Sequence, residues 1–414
     1  MTDSREVVVI GGGIIGIAVA AGLVGEGRKV TVIDRTGICE ETSSGNAAAL
    51  AFSDILPLAQ KGMMGQVPRW LADPLGPLTI APAYLPRLAP WLWRFWQAGR
   101  QANHDASVTA QAAMMQLAEV EWASLMQTTG TRSYLREDGC LELYESEPEW
   151  RASLPGWAAR ERFGIEFRHV RGKDLAELQP GLSAGFAVGT FVPGWKTVAD
   201  PQRLGKAVWA HAEAGGASFL RGEVADLGQE NGRSRLRLAD GRVIGASTLV
   251  IAAGAWSHRL ARNFGDHIPL ETERGYNTTL PPDAFDVRRQ LVFARHGFVI
   301  TPLETGLRVG GAVEFAGLER PPNYARSRAM LEKASRFLPG LKTQGGREWM
   351  GYRPSLPDTI PVIGRSSRAP NVIYAFGHGH LGLTQSAATG RLVRDLVTGV
   401  DPAIDLSPYS PDRF

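Results

Sequence analysis

The sequence predicts an α/β fold, and three features near its amino terminus support that prediction. An apolar, β-branched run at 7–10 is typical of a strand buried on both faces. It leads into a glycine-rich turn at 11–16 and an alanine-rich helical stretch at 17–25. A second β-branched run, 29–33, ends at Asp34. Strand, turn, helix, strand and acid in this order form the βαβ unit that opens a Rossmann-like nucleotide-binding domain.

The glycines of the turn each have a physical role in holding a dinucleotide. Gly11 permits the tight turn, Gly13 lets the backbone approach a pyrophosphate, and Gly16 lets the helix pack close to the strand. At Ile14 and Ile15 the helix N-terminus offers unpaired N–H groups and a partial positive charge to that pyrophosphate. The sequence therefore predicts a dinucleotide site at this turn.

The end of the second strand predicts how the ribose is held. Asp34 is placed to accept hydrogen bonds from a ribose diol, and its charge would repel a 2′-phosphate. Arg35, beside it, is the one feature that suits a phosphorylated cofactor.

A polar segment at 41–49 follows, and it passes from hydroxyl-bearing to small side chains. A residue at its start is suited to N-capping a short helix. The small side chains beyond would let a flat ring system lie against the backbone, although an ordinary capped helix explains the pattern equally well. Candidate cofactor contacts in this segment are Thr42, Ser43, Ser44, Asn46 and Ala47.

Bulk composition limits the class of protein. A chain of 414 residues is expected to form two domains, and a net charge of +3 from scattered basic residues argues against a nucleic-acid partner. The only cysteines, Cys39 and Cys140, indicate neither a disulfide framework nor a metal site, so we expect a reducing, cytoplasmic location. We expect no signal peptide, and no run of 18 apolar residues suggests a membrane span.

The segment 66–100 carries six prolines and four tryptophans, of which Trp91, Trp93 and Trp96 are close together. Because tryptophan and arginine favour the headgroup zone, one interpretation is a peripheral contact with the inner membrane. The other interpretation is a helix packed on the core beneath an insertion.

Periodicity indicates the remaining elements. Strand-like pieces are expected on either side of a turn at Asp138-Gly139, and a sheet meander over 218–253 ends at a strand followed by Gly254. Helices are expected at 103–127, 200–215, 324–338 and 385–397.

Four blocks carry a resemblance to a known family. They are the amino-terminal βαβ unit, the turn Ala253-Gly254-Ala255-Trp256, the run Gly351-Tyr352-Arg353-Pro354, and the closing Gly377-His378-Gly379-His380-Leu381-Gly382-Leu383-Thr384. In this order, over essentially the full length, the chain resembles the D-amino acid oxidase and dehydrogenase family of FAD enzymes, which includes glycine and sarcosine oxidases. The run 42–47 and the closing block look most similar to bacterial D-amino acid dehydrogenases.

The resemblance implies non-covalent FAD and an interleaved fold. A Rossmann-like FAD-binding domain would comprise 1–80, 196–262 and 346–414. A smaller α+β substrate domain with a mixed sheet would comprise 81–195 and 263–345. Further cofactor contacts implied by the family are Val224, Ala253, Gly254, Trp256 and Arg353, together with the closing block from Gly377 through His378, Gly379, His380, Leu381, Gly382 and Leu383 to Thr384.

The family also places a carboxylate-gripping arginine at Arg353, and a guanidinium suits that role because it forms a bidentate pair. Tyr276 and His296 are further candidates to line the pocket as catalytic residues. His378 and His380 could be general bases, but orienting hydrogen bonds are favoured for both. No metal site is expected there.

The implied reaction is oxidative deamination of a D-amino acid or imino acid by hydride transfer from Cα to flavin N5. The imine then hydrolyses to a keto acid, and the electrons pass to a quinone or another acceptor. Positioning would carry most of the catalysis, and no dedicated carboxylate base is evident from the sequence. The other hypothesis is an oxygen-using oxidase of glycine, sarcosine or a cyclic amine such as hydroxyproline. Hypotheses from other classes are a non-catalytic flavin-binding subunit and an NAD-only dehydrogenase.

Overall fold

The computed structural model describes residues 6–60, 62–65, 67–72 and 76–414. The polar start of the chain and residues 66 and 73–75 of the tryptophan-rich segment lie outside the described residues. The strands are β1 (Glu6–Ile10), β2 (Lys29–Asp34), β3 (Ala49–Leu50), β4 (Leu78–Ile80), β5 (Leu135–Arg136), β6 (Cys140–Tyr144), β7 (Arg168–Val170), β8 (Val188–Val192), β9 (Lys196–Val198), β10 (Ser218–Arg221), β11 (Val224–Glu230), β12 (Arg233–Leu238), β13 (Val243–Ala246), β14 (Thr248–Ile251), β15 (Glu271–Leu280), β16 (Gln290–Phe293), β17 (Phe298–Leu303), β18 (Gly306–Phe315), β19 (Arg347–Ser355), β20 (Val362–Arg365) and β21 (Val372–Phe376). The α-helices are α1 (Ile14–Val24), α2 (Val67–Ala72), α3 (Leu85–Ala98), α4 (Gln101–Thr129), α5 (Glu147–Arg162), α6 (Gly172–Leu178), α7 (Pro201–Ala214), α8 (Ser257–Ala261), α9 (Ala325–Phe337) and α10 (Gly382–Thr398).

The first sheet has six strands in the order β10-β2-β1-β14-β21-β20. All neighbours pair in parallel except β20, which runs antiparallel to β21. One face packs against α1, α7 and α10 through a large apolar core, and the other is covered by the antiparallel sheet β11-β12-β13. Burial on both faces explains why β1 and β14 read as continuous apolar runs.

The second sheet has nine strands and is mixed. Its main path is β19-β15-β18-β17-β16-β6-β8-β7, with β4 pairing alongside β18. β16 pairs in parallel with β6, and β4 pairs in parallel with β18, whereas the other pairs are antiparallel. Helix α9 packs on β15 and β18 over a separate apolar core. The α/β architecture with interleaved parallel and mixed sheets confirms the predicted fold class.

The strand pairing corrects one local prediction and confirms a second. The stretch 218–253 is not one meander, because β10 and β14 join the parallel sheet and only β11 to β13 form antiparallel neighbours. The chain turns at Gly139 with φ +71°, but β5 pairs with β9 while β6 pairs with β8 and β16. The strands predicted on either side of the turn are therefore present, and they enter different sheets.

Candidate active site

A cavity of about 1440 Å³ is lined by residues of both large sheets. Pockets for small ligands usually measure about 300–1,000 Å³, so this cavity has room for more than a small substrate. Its walls include the ends of β1 and β2, the loop before α10, and the strands β15, β18 and β19.

The glycine turn is packed as its sequence predicts. A Cβ on Gly16 would lie 1.9 Å from the Gly11 carbonyl oxygen, and a Cβ on Gly11 would lie 2.3 Å from the Ala252 oxygen. Gly11 also has φ +114°, which favours glycine. Helix α1 begins after Gly13, which has no side chain to cap it, and Ile14 and Ile15 in its first turn line the cavity.

The carboxylate of Asp34 stabilises this turn. Its Oδ2 accepts from the Gly12 N–H at 2.7 Å, and its Oδ1 accepts from the backbone of Thr36 and Gly37. A carboxylate has about four acceptor positions, so Oδ2 retains capacity for a ribose hydroxyl. Asp34 therefore also holds its own loop, a role that the sequence did not predict.

Beside it, the Arg35 guanidinium lies 4.0 Å from the centre of the Trp256 ring and pairs with Glu41 at 3.0 Å. Arg35 is thus held by a carboxylate and an aromatic face rather than projecting freely.

The segment 42–47 is fastened to the nine-stranded sheet. The Thr42 hydroxyl exchanges hydrogen bonds with the backbone of Tyr352, and the Ser43 hydroxyl accepts from the Ile14 N–H at 2.9 Å. Ser44 donates to the carbonyl of Glu41. The segment therefore ties α1 to β19.

Side chains of the larger sheet also hold the carbonyls of that segment. Asn277 donates to the Gly45 oxygen at 2.8 Å, Arg308 donates to the Asn46 oxygen at 2.6 Å, and Thr301 donates to the Ala47 oxygen at 3.1 Å. Burial lowers the pKa of Arg308 to about 10.

Most predicted cofactor contacts meet at the cavity. Gly16, Ser44 and Gly377 are absent from its lining and act through packing or turns. The others in the lining are Gly11, Gly13, Ile14, Ile15, Asp34, Arg35, Thr42, Ser43, Asn46, Ala47, Val224, Ala253, Gly254, Trp256, Arg353, His378, Gly379, His380, Leu381, Gly382, Leu383 and Thr384.

The closing block runs along the cavity into α10. Gly377 has φ +89° and Gly379 has φ +51°, and α10 begins at Gly382 without a side-chain cap. His378 turns toward the helix, where its Nε2 contacts the Thr389 hydroxyl at 2.9 Å. Burial lowers the pKa of His378 to about 3, so this imidazole is neutral.

Arg353 lies on β19 with its guanidinium over Gly275. Its terminal nitrogens donate to the carbonyls of Ala312 at 2.8 Å and Gly311 at 3.4 Å. A Cβ on Gly275 would lie 2.4 Å from the guanidinium carbon, so glycine there makes room for it. Burial lowers the pKa of Arg353, and Glu273 opposes that effect. The guanidinium retains further N–H donors for a ligand carboxylate.

Glu273 stands beside Arg353 and is nearly inaccessible, with 3% of its surface exposed. Its Oε2 accepts from His380 Nε2 at 2.6 Å. Burial raises the pKa of the Glu273 carboxyl, but His380 and Arg353 outweigh burial and hold the pKa below its usual value. Glu273 is therefore a carboxylate in the wall of the cavity.

Tyr276 and His296 also line the cavity, but each has a polar partner. The Tyr276 hydroxyl donates to Glu314 and accepts from the Asn323 N–H, and burial raises its pKa to about 12. His296 Nε2 contacts Glu145 at 2.8 Å. Their catalytic roles stay predictions, and the Tyr276 hydroxyl is already engaged with Glu314 and Asn323.

Sequence reasoning missed Glu273, Asn277 and Arg308. Glu273 and Arg274 are charged side chains that are buried within a largely buried strand. Because charged side chains are rarely buried, their place in this strand was the one feature that pointed to a role. Asn277 Oδ1 is buried without a hydrogen-bond partner in the described part of the chain, so the cavity offers an unpaired acceptor beside the segment 42–47.

These features fit a large dinucleotide cofactor. The N-termini of α1 and α10 suit anionic groups such as a pyrophosphate, Asp34 retains an acceptor, and Asn277 offers an unpaired oxygen. Within the described ranges, no group of three or more His, Cys, Asp or Glu side chains is arranged to hold a metal ion. None of the helices that the structure describes has both the length and the apolar character needed to cross a bilayer.

Comparisons with known proteins agree with this geometry. The chain is 33% identical to a D-amino-acid oxidase of Bradyrhizobium diazoefficiens, covering 100% of both chains. It is 28% identical to a D-amino acid dehydrogenase of Rhizobium rhizogenes, covering 99% of this chain and 100% of the relative. Its fold matches glycine oxidase from Geobacillus kaustophilus with a TM-score of 0.76 at 23% identity, covering 99% of this chain and 98% of that one.

L-proline dehydrogenase from P. horikoshii matches equally well in fold, with a TM-score of 0.76 at 20% identity over 99% of this chain and 97% of that one. The family model described as DAO, FAD dependent oxidoreductase, matches residues 6–396. The chain that builds this cavity between its two sheets thus belongs to the DAO family of FAD-dependent oxidoreductases.

Proposed function

We propose that the protein oxidises a small D-amino acid to an imino acid, which water then converts to a keto acid and ammonia. The observation that carries this proposal is Arg353, whose fork lies in the cavity wall beside a carboxylate and is positioned by backbone carbonyls. A bidentate guanidinium–carboxylate pair would fix the Cα of the substrate in one orientation.

FAD supplies the two-electron acceptor for this chemistry. We propose that the glycine turn and Asp34 hold its adenosine and pyrophosphate end, and that the segments 42–47 and 377–384 hold its ring end. The domain ranges 1–80, 196–262 and 346–414 for FAD, with 81–195 and 263–345 for substrate, remain our proposal. Strands β4 and β19 fall in the FAD ranges but pair within the nine-stranded sheet, so their side chains would serve the substrate side.

The names of the relatives support a D-amino acid. Glycine, sarcosine or a cyclic amine has weaker support, because glycine oxidase resembles this chain at only 23% identity, where the likeness concerns the fold.

Analysis of the reaction products tests the proposal. With a panel of D- and L-amino acids and a quinone or dye acceptor, we expect equal amounts of keto acid and ammonia from D-amino acids. Absence of both products with every amino acid would contradict it.

We further propose a quinone as acceptor and a peripheral contact with an anionic membrane. Helix α3 lines the cavity with Trp91, Leu92 and Phe95, while Trp93 is 57% and Trp96 is 40% exposed. Residues 76–104 contain no Asp or Glu but include three exposed arginines, which suits anionic headgroups. Helix α3 would thus lie between the membrane and the oxidation site.

A further inference from the structure

Glu273 and His380 form an acid–imidazole pair in the cavity wall beside Arg353. The two residues are 107 positions apart in the chain, yet Oε2 and Nε2 are 2.6 Å apart. Glu273 lies on β15, and His380 lies in the loop that precedes α10. The pair therefore connects the loop at the ring end of the cofactor site with the strand that faces the substrate arginine.

The hydrogen bond fixes one proton of His380. An ionised carboxylate only accepts hydrogen bonds, so a ring proton lies on Nε2, and in the neutral imidazole Nδ1 carries a lone pair. Nδ1 makes no hydrogen bond to any described residue, and the ring is partly exposed in the cavity lining. His380 thus offers an unused proton acceptor at the site.

The proposed reaction requires such an acceptor. An amino acid enters largely as a zwitterion, whose ammonium nitrogen has no lone pair. A lone pair on nitrogen is needed to form the C=N bond as the Cα–H electrons leave. One proton must therefore be removed from the ammonium before or during oxidation.

We propose that His380, oriented by Glu273, is the base that takes this proton. One substrate N–H bond breaks, a bond to His380 Nδ1 forms, and the Nε2 proton stays shared with Glu273. This assignment rests on the proposed function and adds a proton acceptor to the substrate grip of Arg353. Glu273 is then a positioning residue that also stabilises the imidazolium.

Other charged groups surround the pair. Arg353 faces Glu273 from β19, while Asp54 lines the cavity and lies 3.5 Å from Arg160 of α5. Asp54 is thus paired with the opposite charge of Arg160. Glu273 is the carboxylate that contacts the imidazole of His380 directly.

Two ligands of nearly equal shape test the proposal on the FAD-loaded enzyme. 2-Aminoisobutyrate has an amine but no Cα–H, so it binds without being oxidised, whereas pivalate replaces the amine by a methyl group. Binding of each is measured from flavin absorbance across pH. We expect affinity for 2-aminoisobutyrate to fall by up to ~10-fold per pH unit on the acid side, because a proton already on His380 must be released when the ligand delivers its own. Affinity for pivalate should not fall over the range in which its own carboxyl group stays ionised.

Variants assign the effect to residues. His380→Gln should remove the acid-side loss of 2-aminoisobutyrate affinity. Glu273→Gln should shift that loss to lower pH, because the imidazolium would no longer be stabilised. The control His104→Gln, outside the cavity, should show the same loss as the parent. The proposal is overturned if His380→Gln keeps the parental pH dependence, or if the parent shows the same dependence with both ligands. If a variant fails to fold, the comparison of the two ligands on the parent enzyme still tests whether proton transfer from the ligand amine accompanies binding. Failure of the parent to oxidise any amino acid would instead refute the proposed function.

Discussion

Glu273 and Arg353 are direct partners across the antiparallel strands β15 and β19, and both side chains line the cavity. Directly opposed residues on a sheet have Cβ atoms about 5 Å apart, so the register alone brings the two charges together. The sheet therefore supplies the arginine with an anion before any substrate arrives. A zwitterion placed here would meet a cation for its carboxylate and an anion near its ammonium.

Replacing Arg353 should weaken substrate binding strongly. In the proposed complex, Arg353 pairs with the carboxylate of the substrate inside the cavity. Truncating one partner of such a charge pair costs about 2–5 kcal/mol, so KM for a D-amino acid should rise at least ~30-fold in Arg353→Ala. Arg353→Lys keeps the charge but loses the planar fork and should give an intermediate value. Steady-state kinetics measure both. The exposed control Arg132→Ala should match the parent, and an unchanged KM in Arg353→Ala would contradict the assigned role.

Gly16→Ala should abolish tight FAD binding. The new Cβ would lie 1.9 Å from the Gly11 carbonyl oxygen, and overpacking typically costs about 1–3 kcal/mol and occasionally more. Helix α1 would have to move away from the turn that faces the pyrophosphate. The flavin-to-protein absorbance ratio after purification measures the effect. Gly25→Ala at the other end of α1 meets its nearest atom at 3.6 Å and should keep its flavin.

His378 should make stability depend on pH. Its pKa is lowered from 6.5 to about 3 by burial, so between these values the unfolded chain binds the extra proton. Its contribution is present above pH 6.5 and is lost as pH falls toward 3. In denaturant unfolding, the parent should lose stability more steeply over this range than His378→Gln, by up to ~1.4 kcal/mol per pH unit. Thr389→Val keeps the imidazole and should retain the steep slope, whereas equal slopes in parent and His378→Gln would refute this.

The exposed tryptophans should govern membrane contact. Co-sedimentation with vesicles of anionic phospholipid is expected for the parent and should weaken as salt is raised. Trp93→Ser with Trp96→Ser should lower the bound fraction several-fold. Val120→Ser, at a valine 64% exposed on α4, removes exposed apolar surface elsewhere and should bind like the parent. Equal binding by the tryptophan variant would argue against the contact.

The sequence predicted the nucleotide half of the fold well because its signals are local. The strand, glycine turn, helix and acid of the first unit are contiguous, and the periodicity of 200–215 matched α7. Helix α5 was not predicted, since Pro155 and a polar composition hide its period. The meander at 218–253 was misread because a run of short strands does not reveal which sheet each one joins.

The site was harder to predict for the same reason. Arg353 was identified only through a family motif. Glu273 was identified only from the register of β15 against β19, which places it opposite Arg353. The contact of His380 with Glu273 joins two distant segments, and no periodicity encodes it. The predicted role of Asp34 was incomplete, because its backbone contacts to Gly12 and Gly37 depend on the conformation of the turn.

Anaerobic reduction of the bound flavin tests the central claim most directly. A D-amino acid mixed with the purified, FAD-loaded protein should bleach the visible flavin absorbance in a single turnover. Arg353→Ala should need a far higher concentration for the same rate. Flavin that stays oxidised with every amino acid offered, or an Arg353→Ala variant that bleaches like the parent at low substrate, would contradict it.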